Sequence, residues 1–233
     1  MATLHLGFVV FPNVTQLDLT GPLQMLSRLP GCEAHVVAAS LEPVPTDCPF
    51  AIVPSTTYDD CPPLHLLCIP GGFGTAGAIA DGRTVDFVRA QGAWARLVTS
   101  VCTGAFVLGA AGLLDGRMAT THWAYHDLLS VVGAVPTEGR VVVDDRAEPL
   151  VITGGGVTAG IDFGLRVAAQ IAGEDVAQAI QLGMEYDPDP PFDAGHPRSA
   201  PPAVREGVRS KFGARKAEFA ALLHAARHGP RRG

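Results

Sequence analysis

The sequence predicts an α/β fold in which a mostly parallel sheet is covered by helices on both faces. Short apolar runs of strand length alternate along the chain with segments that have helical spacing. The 233 residues suit one large domain better than two small ones. A content of 47% hydrophobic and 17% charged residues is typical of a globular protein with a large core.

Five runs are predicted to be buried strands because each is short, strongly apolar and bounded by turn residues. They are Leu4–Phe11, Ala34–Ala39, Leu64–Ile69, Leu97–Val101 and Leu150–Thr153. Arg140–Asp144 precedes the last of these runs across a polar loop, which predicts a hairpin.

Helical spacing falls between these runs. The predicted helices are Pro22–Leu29, Arg83–Ala93, Thr103–Ala111 and Val157–Ala172. The first is expected to begin after Thr20 and Gly21, a capping residue and a turn residue, with Pro22 in its first turn. The third and fourth end at glycines, which favour helix C-termini.

The chain changes character after residue 186, so we expect one α/β domain over residues 1–186. Asp187 to Pro202 is rich in proline and predicts an extended arm. Ala203–His228 has a helical pattern, and Arg205 to Arg232 holds eight Lys or Arg against two Glu. The simplest interpretation is a solvated helix. The alternative is that residues 187–233 pack on the same domain or on a partner subunit.

Charge and targeting signals narrow the classes of function. The net charge of −6 gives the chain no general attraction to nucleic acid or to anionic membranes. The first residues lack the basic and apolar regions of a signal peptide, and no apolar run of about 18 residues is present, so a cytoplasmic protein is expected. Five cysteines without CxxC spacing predict neither a disulfide framework nor a cysteine zinc site.

The segment around Cys102 carries the main functional signal. A predicted buried strand runs directly into Cys102, and a helix begins almost at once with Thr103, Gly104 and Ala105. A turn this sharp places its middle residue in a strained, exposed position at the carboxyl end of the sheet, as in a nucleophile elbow. The first amides of the helix favour a thiolate there. These features predict a catalytic or redox cysteine; the alternative is a buried structural one.

Two other predicted strand ends carry residues that suit the same site. Leu64–Ile69 runs into Pro70-Gly71-Gly72, where the backbone is able to approach a ligand closely. If this loop neighbours the elbow, the amides of Gly72 and Thr103 are candidates for an oxyanion hole. A plain steric need of a tight turn explains the glycines equally well.

Asp18 is the candidate acid/base partner. It lies between two leucines just after the first predicted strand, where a carboxylate is able to point into a cleft at the same edge of the sheet. The competing interpretation is a cap for the helix that follows. Near a thiol, Asp18 would titrate jointly with it, and the pair would share one proton and serve as a general acid.

Two weaker signals remain. His122 follows Cys102 by about twenty residues and is a candidate partner for it, although a capping or core histidine explains its position more simply. Thr153-Gly154-Gly155-Gly156 resembles a phosphate loop but matches neither GxGxxG nor GxxxxGK, so we interpret it as a flexible turn near the site.

Taken together, these motifs resemble the ThiJ/PfpI superfamily, which has the class I glutamine amidotransferase-like fold. The segments that carry the resemblance are FPNVTQLDLTGP (11–22), DCPPLHLLCIPGG (60–72), TSVCTGAFVLGAAGLLDGRMATTHWAYHDLL (99–129), TGGGVTAGIDF (153–163) and MEYDPDPPFDAGHP (184–197). The resemblance implies a flavodoxin-like three-layer sandwich, a homodimer, and no metal or cofactor.

The resemblance also implies roles for individual residues. Cys102 would be the nucleophile, Asp18 its acid/base partner, and Thr103 would stand beside them. Peptidase-like relatives carry histidine directly after the cysteine, whereas Thr103 stands there in this chain, which argues against a Cys-His triad and proteolysis.

The branch of the superfamily that the motifs match best implies a lyase that hydrates an isocyanide, R–N≡C, to an N-substituted formamide. One alternative is a glyoxalase or deglycase that acts on α-oxoaldehydes. A second is the ligand-sensing domain of an AraC-type regulator, which would need about 100 further residues for two helix-turn-helix units. A third is an oxidation sensor that works through Cys102.

Overall fold

A seven-stranded sheet forms the centre of the protein, with the strands in the order β10-β11-β7-β6-β1-β2-β5. Neighbouring strands run parallel except β10, which pairs antiparallel with β11. The strands are β1 Leu4–Val9, β2 Cys32–Ala38, β3 Val44–Pro45, β4 Ala51–Ile52, β5 Thr56–Thr57, β6 Leu66–Ile69, β7 Leu97–Val101, β8 Met118–Ala119, β9 Val135–Pro136, β10 Val141–Asp144 and β11 Leu150–Gly154. The predicted mostly parallel α/β fold and the β10–β11 hairpin are thereby confirmed.

The computed structural model describes residues 3–228. The last two arginines of the predicted basic tail, Arg231 and Arg232, therefore lie outside the described residues. The described helices are α1 Gln16–Leu26, α2 Thr75–Asp81, α3 Arg83–Gly92, α4 Gly104–Ala110, the 3₁₀ segment Trp123–Val132, α5 Ala159–Ala172, α6 Glu174–Gly183 and α7 Pro202–His228. Within residues 3–228, no helix is both long and apolar enough to cross a membrane.

The helices form two layers, one on each face of the sheet. Two successive residues of β1 show this division. Phe8 packs in the core under α1, α5 and α6, whereas Val9 packs in the core under α2, α3 and α4. Strand residues alternate between the two faces, so both faces of a parallel sheet must be apolar. This is the three-layer sandwich that the sequence predicted.

Helix α1 differs from the prediction. It begins at Gln16, with Thr15 at the N-cap position, so Thr20 and Gly21 lie inside the helix and do not cap it. Pro22 is an interior residue that cannot donate to the carbonyl four residues before it. Close packing explains why the helix tolerates it: a Cβ on Gly160 of α5 would stand 3.0 Å from Pro22 Cδ. The contact between α1 and α5 overrides the local preference of proline.

Asp144 anchors the hairpin through a buried ion-pair network. Its side chain is fully buried and accepts hydrogen bonds from the Met118 amide and the Arg146 guanidinium, and Arg117 lies 3.3 Å away. The hydrogen bond from Arg146 is the main cause that holds the pKa of Asp144 well below its usual range. A buried carboxylate needs such partners to remain charged.

Helix α7 is not a solvated helix along its whole length. Phe219 and Leu223 are buried, and Phe219 meets Phe106 of α4 edge-on with ring centroids 5.1 Å apart. The arm before it, residues 187–201, forms neither helix nor strand and is mostly exposed. The last helix therefore packs on the same chain, on the α4 side of the sheet.

Candidate active site

Cys102 occupies a strained turn between β7 and α4, as the sequence predicted, but the prediction that it is exposed is wrong, because the residue is buried. Its φ of 55° lies in the left-handed region that side chains rarely adopt. Helix α4 begins close behind it because a Cβ on Gly104 would stand 2.0 Å from the Ile69 carbonyl oxygen. Only glycine permits this close approach, so Gly104 allows the sharp change from strand to helix.

Hydrogen bonds on both sides hold the Cys102 peptide. The Cys102 amide donates to the carbonyl oxygens of Gly154 and Gly155, at 3.1 and 2.9 Å. The Thr121 hydroxyl donates to the Cys102 carbonyl oxygen at 2.6 Å. The Gly154–Gly156 turn therefore braces the elbow, a role that its sequence did not reveal.

The order of the strands brings three loops together at one edge of the sheet. Strands β7, β6 and β1 are neighbours, and their carboxyl ends lead to Cys102, to Gly71-Gly72 and to α1. The chain continues from β1 to β2 on one side, while β6 lies on the other. Ligands of open α/β sheets bind at such a switch point.

Asp18 lies in the first turn of α1 and is fully buried. Its Oδ2 accepts a hydrogen bond from the Gly71 amide at 3.0 Å, which ties α1 to the loop after β6. Thr15, not Asp18, occupies the N-cap position, so the capping interpretation of Asp18 is wrong. Oδ1 makes no hydrogen bond of ordinary geometry with the described residues. The carboxyl is thus anchored through Oδ2, and it also interacts with the Cys102 side chain.

Thr103 connects the elbow to the glycine loop. Its Oγ1 accepts a hydrogen bond from the Gly72 amide at 2.9 Å and lies 2.9 Å from the Thr75 hydroxyl. In this arrangement the Gly72 amide, a predicted oxyanion-hole donor, already donates its hydrogen bond to the Thr103 hydroxyl. Thr75, which the sequence did not single out, therefore belongs to the same network.

The pKa values of Asp18 and Cys102 depend on each other. Burial raises the pKa of Asp18 to about 7. Burial, and next the charge of Asp18, raise the pKa of the Cys102 thiol well above its usual value, while the amide and hydroxyl of Thr103 lower it. Two neighbouring groups that oppose each other's negative charge titrate as a unit. Above about pH 7 this pair holds a single proton and one negative charge.

A cavity of about 710 Å³ is lined by Cys102, whereas the fully buried Asp18 is not among its lining residues. Aromatic and aliphatic side chains form the larger part of the cavity surface, and Asp47, Arg215 and Glu218 add charged groups to the lining. The lining residues are Thr15, Gln16, Leu17, Asp47, Gly72, Phe73, Thr75, Ala76, Cys102, Thr103, His122, Tyr125, Val157, Phe212, Arg215, Glu218 and Phe219. An apolar pocket with a few convergent polar groups is the usual form of a small-molecule site.

Helix α7 supplies one wall of this cavity, which sequence reasoning missed. Phe212 lies against Tyr125 with ring centroids 5.7 Å apart. The Arg215 guanidinium lies 4.2 Å from the centre of the Phe73 ring. A signal was present in the sequence: Phe212, Phe219 and Leu223 form an apolar stripe at helical spacing on an otherwise basic helix.

His122 lines the cavity but acts as a helix cap. Its Nδ1 accepts the Ala124 amide at 3.3 Å, at the start of the 3₁₀ segment, as the simpler interpretation predicted. Burial lowers the pKa of its ring, which favours the neutral form. Among nearby aromatic residues, Phe73 lines the cavity, whereas Phe163 is fully buried and Trp123 packs against the core.

Comparisons with known proteins agree with this fold. The model of the DJ-1/PfpI family matches residues 6–170. The chain is 52% identical to the isonitrile hydratase of Pseudomonas putida over 208 residues, which covers 89% of this chain and 90% of that protein.

Two further proteins are similar to this chain over most of its length. A crystal structure of a ThiJ/PfpI family protein from Pseudomonas syringae superposes with a TM-score of 0.89 at 43% identity, covering 98% of this chain and 92% of that one. The HTH-type transcriptional regulator GbdR of Pseudomonas aeruginosa is 29% identical over 189 residues, which is 78% of this chain but only 50% of the regulator.

Proposed function

This chain belongs to the DJ-1/PfpI family, and from that premise we propose that it is an isocyanide hydratase that works through Cys102 and Asp18. Isonitrile, the word in the name of the Pseudomonas putida relative, is another term for isocyanide. The observation that carries the proposal is the buried Cys102–Asp18 pair, whose pKa values are coupled and whose Cys102 lines a largely apolar cavity. Such a pair offers a soft nucleophile and a proton to one small molecule.

The first step joins the thiolate to the substrate. The Cys102 thiol first passes its proton to the Asp18 carboxylate. The Cys102 sulfur then attacks the terminal carbon of R–N≡C, and the Asp18 carboxylic acid delivers that proton to the same carbon. One C–S bond and one C–H bond form, and the product is the thioimidate Cys–S–CH=N–R. Asp18 is then a carboxylate. Burial raises the pKa of Asp18 to about 7, so the acid is available near neutral pH.

The second step adds water. The Asp18 carboxylate takes a proton from water, whose oxygen bonds to the thioimidate carbon, and passes that proton to nitrogen. The C–S bond then breaks while the new hydroxyl returns its proton to Asp18. The products are the formamide R–NH–CHO and the Cys102 thiolate, so the pair again holds one proton and one negative charge. No redox change occurs, and water is the only co-reactant.

Thr103 and Gly72 have supporting roles in this proposal. The Thr103 amide and hydroxyl stabilise the thiolate, which is the direction in which both change the pKa of Cys102. The Gly72 amide donates to Thr103 Oγ1 and so orients that hydroxyl. Gly72 thus becomes a positioning residue as long as this hydrogen bond persists, and a direct oxyanion role would require the hydrogen bond to break.

The cavity supports an isocyanide with a large apolar substituent. Phe73, Tyr125, Phe212 and Phe219 line it, and about 710 Å³ has room for an aryl or cycloalkyl group. The substituent would lie along the aromatic wall while the terminal carbon points to Cys102.

The decisive experiment follows formamide formation from an aryl isocyanide. We expect turnover by the wild type, loss of turnover in Cys102→Ala, and a large decrease in Asp18→Asn. Cys61→Ala serves as the matched control, because Cys61 lies outside the cavity lining. Full turnover by Cys102→Ala would refute the proposal. Methylglyoxal turnover without isocyanide turnover would favour the α-oxoaldehyde enzymes instead.

The assembly and the cellular location belong to the same proposal. We expect a cytoplasmic homodimer, as the family resemblance implies. Exposed apolar side chains on and near the arm support an interface there: Leu182 is 83% exposed and Phe192 is 79% exposed. Sedimentation velocity tests this directly, with a monomer at micromolar concentration as the contradicting result.

A further inference from the structure

We propose that His5, Glu33 and His35 form a binding site for a divalent transition-metal ion such as Zn²⁺, at the opposite end of the sheet from Cys102. The three side chains stand on the neighbouring strands β1 and β2, near the amino ends of these strands. Cys102 follows the carboxyl end of β7. The site is therefore separate from the reaction.

Strand register is what brings the three side chains together. His5 pairs directly with Glu33, and Gly7 pairs with His35, so the three residues occupy adjacent positions on two neighbouring strands. Alternation along β1 and β2 puts all three on the face where Val9 and Val37 pack. Because Gly7 has no side chain, the position beside His35 on β1 carries no competing group.

The donor atoms lie at distances that suit one ion. His5 Nδ1 is 2.9 Å from His35 Nε2 and 3.6 Å from Glu33 Oε2, and His35 Nε2 is 4.0 Å from Glu33 Oε1. In a tetrahedral zinc site with bonds of 2.0–2.1 Å, donor atoms are separated by about 3.3 Å. Small changes in side-chain torsion would therefore bring all three atoms into the coordination sphere.

The chemistry of the donors favours zinc and its neighbours over magnesium or calcium. Two imidazole nitrogens and one carboxylate suit Zn²⁺, Co²⁺ or Ni²⁺, whereas harder ions prefer sets of oxygen ligands. The Glu33 side chain is 59% exposed, so the ion has access from solvent.

A neighbouring histidine positions one ligand. His65 Nδ1 accepts a hydrogen bond from the His5 backbone amide at 3.0 Å, which fixes the start of β1 against the start of β6. The ligands are thus mounted on paired strands, which hold a site more firmly than loops do. An ion bound here would link β1 to β2 and stabilise the folded chain.

The test measures zinc binding to the full chain by competition with a chromophoric chelator. Cys102→Ala is the parent protein, so that the active-site thiol contributes no ligand. We expect one ion per chain, a weakening of about tenfold or more in Glu33→Gln, and loss of binding in His35→Gln. His126→Gln is the matched control. His126 is distant in sequence from the three ligands and its ring bonds to the Thr137 carbonyl oxygen, so this variant should bind zinc as the parent does.

Two further readouts identify the ligands. The Co²⁺ complex should show the d–d bands of a nitrogen and oxygen site without a thiolate charge-transfer band, since free cysteines are also present. Zinc at about one hundred times its dissociation constant should raise the melting temperature of the parent by about 5–10 °C, and that of Glu33→Gln at the same zinc concentration by much less. Glu33 is exposed, so this variant keeps its fold even if His35→Gln does not.

Zinc binding that is equal in the parent, Glu33→Gln and His35→Gln would overturn the proposal, as would an absence of saturable binding at micromolar zinc. Isocyanide turnover separates this inference from the proposed function. His35→Gln in the wild-type background should retain turnover, and the absence of turnover in every variant would leave the metal result unaffected.

Discussion

Gly71 lies so close to Thr103 that a Cβ on Gly71 would stand 2.5 Å from the Thr103 amide nitrogen and 2.6 Å from Thr103 Oγ1. The same Cβ would stand 2.9 Å from Asp18 Oδ2. Gly71 therefore occupies the point where the loop after β6 separates the acid from the elbow. Its missing side chain allows Asp18, Thr103 and the loop to share one small volume.

Gly71→Ala should abolish most activity while the protein still folds, because the methyl group would displace Asp18 or Thr103 from its position. We expect a decrease in kcat/KM of at least about a hundredfold, measured by formamide formation. Gly77→Ala in α2 is the control: nothing lies within 4 Å of its Cβ position, so it should be fully active. Equal activity of the two variants would contradict this account.

The dependence of kcat/KM on pH should report the coupled pair. The reactive form carries one negative charge, so kcat/KM should rise as pH increases through an apparent pKa of about 7, the value that burial gives Asp18, and then level off. Asp18→Asn leaves the thiol alone. Any residual activity of that variant should then rise only at higher pH, where Cys102 itself ionises. A profile that is unchanged in Asp18→Asn would contradict the coupling.

Asp144→Asn should lower the free energy of unfolding at pH 7 by about 3 kcal/mol, because two arginines would lose a buried carboxylate partner. The pKa of Asp144 is depressed in the folded protein, so its stabilisation is present above the pKa of an unfolded aspartate, about 4, and is lost as pH falls below it. Urea titrations at pH 7 and pH 3 measure the difference, which should be smaller at pH 3. Asp145→Asn, at an exposed neighbour, should change stability little.

Phe212→Ala should raise KM for an aryl isocyanide by about tenfold with a smaller effect on kcat, because Phe212 forms part of the aromatic wall and is not among the reacting groups. The effect should diminish for a small alkyl isocyanide that does not reach the wall. Val204→Ala, on the same helix but half exposed and outside the cavity lining, is the control. A tenfold fall in kcat at constant KM would place Phe212 closer to the chemistry than we propose.

Local sequence signals were sufficient for the six longest strands and for the strained backbone of the elbow, but not for the two-residue strands. The prediction for β7 was correct to the residue, and Cys102 has the strained backbone that a strand running into a helix demands. These features depend on residues that are adjacent in the chain. Apolar runs and glycine positions are therefore enough to predict them.

Features that depend on distant parts of the chain were not predictable in the same way. The start of α1 was misplaced because its packing on α5 overrides the preference of Pro22. The hydrogen bond between Gly71 and Asp18 requires the strand order β7-β6-β1, which no local pattern encodes. The His5, Glu33 and His35 cluster depends on the register between β1 and β2, which sequence spacing does not reveal.

The wall that α7 contributes has a consequence for the newly made protein. The amino-terminal part of a chain leaves the ribosome first during synthesis, so Asp18 and Cys102 emerge well before Phe212 and Phe219. During that interval the nascent domain has its elbow but lacks the aromatic side of its pocket. The order of synthesis thus delays a finished substrate cavity until the segment that holds Phe212 and Phe219 has left the ribosome.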